Sequence, residues 1–187
     1  MPAWLARGWY PSAMAKTLVL GGIRSGKSDL AERLVAAAGG PVCYVATATA
    51  GDDEMAARIR AHQARRPADW GLVEEPRALG RVLADNPASA LLIDCMSLWL
   101  SNLLGAGEET LAAERAAFLG AVAAHPADVV IVSNEVGLGL IGMDALSRRF
   151  ADELGWLNQA LATRCDNVIL TVAGLPWALK GQAPDPG

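Results

Sequence analysis

The chain has 187 residues, 52% of them hydrophobic and 19% charged, and a formal net charge of −4. Against typical values of about 45–50% and about 25%, this describes a globular chain with a generous core and a length suited to one domain, and it excludes disordered, collagen-like and disulfide-scaffold classes. The acidic balance gives no electrostatic footprint for nucleic acid, and no apolar run reaches the roughly 18 residues of a membrane-spanning helix.

Residues 1–15 interrupt their apolar character at Pro2, Gly8 and Pro11 and hold one arginine. They lack the basic start and unbroken apolar stretch of a secretory signal. They are read as either an upstream start or a loosely ordered amino-terminal arm, with no function assigned, ahead of one domain over 16–187. The three cysteines, Cys43, Cys95 and Cys165, are odd in number and widely spaced, which suits reduced thiols in a cytoplasmic protein. Five β-type runs follow at 17–20, 42–47, 90–94, 128–132 and 167–172. Most are continuously apolar, as expected of strands covered on both faces. Helical patterns lie between them at 28–38, 52–66, 108–124 and 144–164, with one more near the end of the less periodic stretch 70–86. Strands alternating with helices predict an α/β fold, a mostly parallel sheet with helices on both faces.

The first strand runs into Gly21-Gly22-Ile23-Arg24-Ser25-Gly26-Lys27-Ser28, which fits G-x-x-x-x-G-K-[ST] and opens a helix. In that context the glycines let backbone N–H groups approach phosphate oxygens. Lys27 reaches the β and γ phosphates, and the Ser28 hydroxyl takes a position on Mg²⁺. The chain is therefore expected to bind a nucleoside triphosphate with Mg²⁺. Leu91-Leu92-Ile93-Asp94 is an apolar strand ending in a carboxylate, suited to the same metal, although an Asp capping the next helix would look alike. No Gly follows Asp94 at the DxxG spacing and no guanine-reading NKxD sequence is present, which disfavours a GTPase switch. Gly137-Leu138-Gly139-Leu140-Ile141-Gly142 matches the dinucleotide fingerprint G-x-G-x-x-G. It starts too far beyond its strand, and the next strand ends without an acid, so a glycine loop beside the active site is the better reading. Of the two histidines, His125 falls in a loop and reads as inert. His62 lies on the 52–66 helix with Arg58, Arg65 and Arg66 on neighbouring turns. There a neutral imidazole could attack phosphorus among cations, or the ring could simply cap the apolar face carrying Met55 and Ile59.

Several separated blocks together resemble the bifunctional adenosylcobinamide kinase/adenosylcobinamide-phosphate guanylyltransferase family of cobalamin biosynthesis, over residues 16–180. They are GGIRSGKS at 21–28, YVATA at 44–48, DDEMAARIRAHQARRPADW at 52–70, the acid-ended strand at Asp94, SNEVGLG at 133–139 and RRFADELGWLNQALA at 148–162. The resemblance implies a P-loop domain of the RecA-like kind, assembled as a homo-oligomer, commonly a trimer; the charge and the apolar run lengths give the expectation of no nucleic-acid partner and no membrane span. It implies two reactions. ATP or GTP phosphorylates adenosylcobinamide; GTP then gives GMP to a histidine, with release of pyrophosphate, and the phosphorylated corrinoid takes the GMP to become adenosyl-GDP-cobinamide. The IxxH segment falls on His62, which inherits the nucleophile role. Nucleotide contacts carry over to Gly21, Gly22, Ile23, Arg24, Ser25, Gly26, Lys27 and Ser28, to Ala46, Thr47 and Ala48, to Gln63, Ala64, Arg65 and Arg66, and to Glu74 and Asp94, with Ser28 and Asp94 at the metal. The assignment of Glu74 rests on the resemblance alone. The family usually has Pro where this chain has Gly142, and a Gly there is expected to loosen the loop.

Overall fold

The computed structural model describes residues 15–48, 67–87, 89–139 and 142–182. Of the expected arm only Ala15 is described; it is buried rather than loose, its N–H donating to Asp128 Oδ1 at 2.8 Å. Residues 1–14 and the expected 52–66 helix, with His62, Gln63, Ala64, Arg65 and Arg66, lie outside the described residues.

Strands β1 (Lys16–Gly21), β2 (Val42–Ala46), β3 (Gly71–Glu74), β4 (Ala90–Asp94), β5 (Val129–Asn134), β6 (Asn167–Val172) and β7 (Leu175–Lys180) form a 7-stranded sheet in the order β3-β2-β4-β5-β1-β6-β7. Every neighbouring pair is parallel except β6 with β7. The described helices are α1 (Lys27–Ala37), α2 (Leu79–Asp85), α3 (Met96–Leu104), α4 (Glu108–Ala124) and α5 (Ala145–Arg164). β1 lies near the middle of the sheet, with β2 reached on one side and β6 on the other. The crevice outside the carboxyl ends of the strands therefore opens at β1, where the chain changes direction across the sheet.

The central strands are buried on both faces, so their alternation divides two cores rather than core from solvent. Val19, Leu92, Val130 and Val132 face the side covered by Leu30, Ala31, Leu34 and Val35 of α1. Leu18, Leu91, Ile93, Val129 and Ile131 face the other side, filled by Leu79, Trp99, Phe118, Leu154, Leu157 and Leu161. The Trp99 and Phe118 rings meet at 5.1 Å with their planes tilted by 58°, a favourable edge-on geometry for aromatic quadrupoles. The Trp99 indole N–H finds an acceptor in the Arg77 carbonyl at 2.7 Å.

Three elements were not anticipated. β3 is a four-residue edge strand, largely exposed, and a strand with one ladder and little burial carries no apolar run. β7 contains Pro176, which an edge strand tolerates because one row of its backbone groups needs no partner. It returns antiparallel because Ala173 (φ 52°) and Gly174 (φ 80°) both adopt the left-handed conformation, as a tight hairpin turn requires. α3 buries Met96, Trp99, Leu100 and Leu103, yet it follows β4 after a single residue, leaving little loop signal between them. His125 closes α4 from a buried position, with Nε2 3.3 Å from the Ser89 carbonyl oxygen, in keeping with a structural role.

Candidate active site

The 21–28 loop sits where β1 ends and α1 begins. Gly26 is the N-cap of α1 at φ 89°, with no side chain capping the helix. The first-turn N–H groups are therefore not taken up by a side-chain cap, and the positive end of the helix dipole faces the loop, a natural seat for phosphate. Two of the glycines have steric reasons to be glycine. A Cβ at Gly21 would lie 2.4 Å from Ser25 Oγ and 2.7 Å from the Thr171 carbonyl oxygen; one at Gly26 would lie 3.2 Å from Gly174 Cα. Gly22, Ile23 and Arg24 form the exposed crest of the loop, with Arg24 itself at φ 56°. The Lys27 ammonium donates to the Gly22 carbonyl at 3.2 Å, folded back across the loop it would neutralise phosphate in. Ser25 Oγ is buried without a hydrogen-bond partner, as is Thr171 Oγ1. Burying an unpaired hydroxyl costs about 1–3 kcal/mol, which makes this pair a polar spot under the loop that its own fold does not satisfy.

Sheet register aligns the remaining described candidates. Glu74 pairs with Ala46, and Ala46 pairs with Asp94, at the carboxyl ends of β3, β2 and β4. Glu74 is exposed and Asp94 half-buried. The Tyr44 hydroxyl donates to Asp94 Oδ2 at 3.2 Å. Sequence reasoning missed this contact, since Tyr44 looks like any aromatic strand residue. Thr47 is fully buried, and its hydroxyl donates to the Cys95 carbonyl and accepts from the Cys95 N–H, both at 2.8 Å. Asn102 donates to the Thr47 carbonyl at 2.9 Å. Thr47 thus fastens the end of β2 to the turn after Asp94, and Ala48 follows it, half-buried. Asp94 precedes α3, but the N-cap of that helix is Cys95, so the capping alternative for Asp94 is excluded. Burial first, then the Asp94 carboxylate, push the Cys95 thiol above its ordinary pKa, while Lys27 is close enough to act in the opposite direction. β4 ends on Asp94 at the same carboxyl edge of the sheet where β1 ends on Gly21 and the loop begins.

Ser28 and Asp94 supply a hydroxyl and a carboxylate, hard oxygen donors of the kind that Mg²⁺ accepts beside water and phosphate. Among the described residues no cluster of three or more His, Cys, Asp or Glu could form a dedicated metal cage. A Mg²⁺ carried in with a nucleotide does not need one. A second missed link lies on the same edge: Ser133 donates to Asn158 Oδ1 at 2.6 Å, and Asn158 donates to the Asn134 carbonyl at 3.1 Å. It joins two sequence blocks, SNEVGLG on β5 and the NQ pair of α5, through a buried polar contact. The glycine loop after β5 leads into α5, whose N-cap Asp144 accepts from the Ser147 N–H at 2.8 Å. Gly142 packs tightly there, since a Cβ would lie 2.3 Å from Ser147 Cβ.

Comparison with known proteins adds three findings. Residues 17–179 match the family model described as cobinamide kinase / cobinamide phosphate guanyltransferase. The chain is 52% identical over 170 residues to the bifunctional adenosylcobalamin biosynthesis protein CobP of Pseudomonas aeruginosa, covering 89% of this chain and 98% of that one. It is 38% identical over 179 residues to the corresponding protein CobU of Escherichia coli and 41% identical over 179 residues to that of Salmonella typhimurium, covering in each case 87% of this chain and 98% of the relative. Among solved structures, the flagellar accessory protein FlaH of Methanocaldococcus jannaschii superposes with a TM-score of 0.52 at 14% identity, covering 90% of this chain and 79% of that one. The type III secretion ATPase EscN of enteropathogenic E. coli superposes with a TM-score of 0.50 at 11% identity, covering 86% of this chain and 43% of that one. At such identities these two show a shared P-loop fold.

Proposed function

The chain belongs to the cobinamide kinase / cobinamide phosphate guanyltransferase family, and from that premise we propose that it phosphorylates adenosylcobinamide and then guanylylates the product through a GMP–histidine intermediate at His62. It is a bifunctional transferase of cobalamin biosynthesis. The observation that carries the kinase half is the glycine N-cap of α1 beside Lys27, at the carboxyl edge of the sheet where β4 ends on Asp94.

In the first reaction the aminopropanol hydroxyl oxygen bonds to the γ-phosphorus of ATP or GTP. The bond to the β–γ bridging oxygen breaks, the nucleoside diphosphate leaves and the hydroxyl proton is lost. Such a transfer needs positioning and charge neutralisation more than covalent machinery. The loop N–H groups and α1 hold the phosphates, and Lys27 neutralises their oxygens as charge moves to the leaving group. Ser28 and Asp94, the latter oriented by Tyr44, would hold Mg²⁺, which when bound offsets phosphate charge. In the second reaction an imidazole nitrogen of His62 attacks the α-phosphorus of GTP and pyrophosphate leaves. A phosphate oxygen of the corrinoid then attacks the same phosphorus, breaking the N–P bond and freeing the imidazole. Splitting the transfer lets pyrophosphate depart before the bulky acceptor arrives. Gln63, Ala64, Arg65, Arg66, Glu74, Ala46, Thr47 and Ala48 would surround the nucleotide. A single 16–187 domain, cytoplasmic and assembled as a trimer, completes the proposal; exposed Val172, Leu175, Trp156 and Trp177 offer apolar surface for such an assembly.

The test is incubation with Mg²⁺ and GTP labelled at the α or the γ phosphate. Protein-bound label from the α position alone, stable to base, lost in acid and absent from His62→Ala, is expected, with phosphorylation of cobinamide retained by that variant. A folded, GTP-binding protein that takes up no α label would reduce the function to a kinase and return His62 to the core.

A further inference from the structure

The phosphate loop does not hold its shape alone. Its far side rests on the hairpin tip between β6 and β7, an element remote in sequence and outside every motif. The Gly174 N–H donates to the Ser25 carbonyl at 2.9 Å. Gly26 approaches so closely that a Cβ on it would lie 3.2 Å from Gly174 Cα, and Gly21 so closely that one would lie 2.7 Å from the Thr171 carbonyl oxygen. The orphaned hydroxyls of Ser25 and Thr171 are both buried at this junction. Pairing of β6 with β1 brings Thr171 level with Gly21.

We infer that the hairpin tip at residues 171–174 is a brace that sets the phosphate loop, with Gly174 as a positioning residue for nucleotide binding. The inference rests on reading residues 21–28 as the triphosphate loop. The physical link is one backbone dihedral. The Ser25 carbonyl must point away from phosphate for the neighbouring N–H groups to point toward it. The Gly174 N–H holds it there because Gly174 sits at φ 80°. An L-residue at that dihedral is strained by about 1–2 kcal/mol. It can relieve the strain by swinging the tip away from Ser25, and binding a nucleotide must then restore it. The lost affinity is bounded by that strain, about tenfold. A Cβ on Gly174 meets nothing within 4 Å, so Gly174→Ala changes the dihedral preference without a clash and serves as the bulk control for Val.

That separation of dihedral from bulk defines the experiment. Full-length Gly174→Val and Gly174→Asn are compared with wild type for binding of Mg–ATP and Mg–GTP by calorimetry, for the nucleotide KM and kcat of phosphorylation, and for Tm without nucleotide. Asn tolerates the left-handed conformation and Val does not. Val is expected to lose about tenfold in affinity, to raise KM more than it lowers kcat, and to lose a few degrees in Tm, whereas Asn restores affinity and KM. Should the Val variant fail to fold, Gly174→Ala carries the same dihedral penalty with less bulk and is read the same way. Wild-type affinity in the Val or Ala variant, or equal loss in Asn and Val, would overturn the brace while leaving wild-type nucleotide binding intact. A wild type that binds neither nucleotide would overturn the phosphate-loop reading and the brace together.

Discussion

Two glycine-rich loops leave adjacent parallel strands at the same edge of the sheet, with Gly21 of β1 level with Asn134 of β5. Each leads toward a helix, and each matches a nucleotide-binding pattern written in glycines. They differ at the helix they introduce. α1 begins on Gly26, which offers no side-chain cap, and its one first-turn acid is Asp29 inside the helix, whereas α5 begins on Asp144 at the cap itself, whose carboxylate accepts from both the Ser147 N–H and the Ser147 hydroxyl. The first presents donors and a positive dipole end to solution; the second has already spent a negative charge there. Those hydrogen bonds hold the Asp144 carboxyl below its ordinary pKa, so it stays ionised at neutral pH. Glycine content lets a backbone come close to a phosphate, but what the helix terminus offers decides whether a phosphate is wanted.

The comparison breaks most sharply if the charge is moved. Gly26→Asp, read against Gly26→Asn, which puts the same Cβ 3.2 Å from Gly174 Cα, should place a carboxylate at the left-handed N-cap of α1, a conformation that both residues tolerate. It should weaken Mg–GTP binding at least ~100-fold through repulsion and competition for the first-turn N–H groups. Calorimetric titration of the folded variant would measure this, and an affinity near wild type would remove the helix terminus from the site. Gly142→Pro tests the second loop by sign. If a glycine merely loosens that loop, proline stiffens it and raises Tm. The close approach of Gly142 to Ser147 instead predicts a lower Tm, by an overpacking cost of about 1–3 kcal/mol, which thermal melts would distinguish. Asp144→Ala should have the smallest effect, a few degrees of Tm with nucleotide affinity unchanged. A carboxylate whose pKa is lowered by folding contributes stability above its ordinary value and loses it as pH falls through the lowered one. The melts of variant and wild type should therefore differ at neutral pH and converge in strong acid.

Much of the site was legible because its requirements are local. Lys27, Ser28 and Gly26 are recognisable from eight contiguous residues, since cradling a phosphate is a demand on one stretch of backbone. An apolar strand ending in an acid pointed to Asp94, which the structure places at the end of β4, with Cys95 rather than Asp94 as the N-cap of the next helix. Thr47 has a structural use besides: its hydroxyl is engaged on both sides by Cys95, which no pattern in YVATA announces. Tyr44 on Asp94 and Ser133 on Asn158 were illegible for the same reason. Each needs two residues that only the packing of separate elements brings within reach.

The sequence by itself determined the alternation of strands and helices, the phosphate loop, and the blocks that place the chain in its family. These are written in periodicity and in short motifs, where neighbours in the chain are neighbours in space. Tertiary structure alone decided the exposed edge strands β3 and β7, the alignment of Glu74, Ala46 and Asp94, and the contact of Gly174 with Ser25. Edge strands gain too little burial to leave an apolar signature. A hydrogen bond between residues at opposite ends of the chain leaves none, because it depends on the register of β6 against β1 and on a turn whose glycine, read locally, marks only a bend.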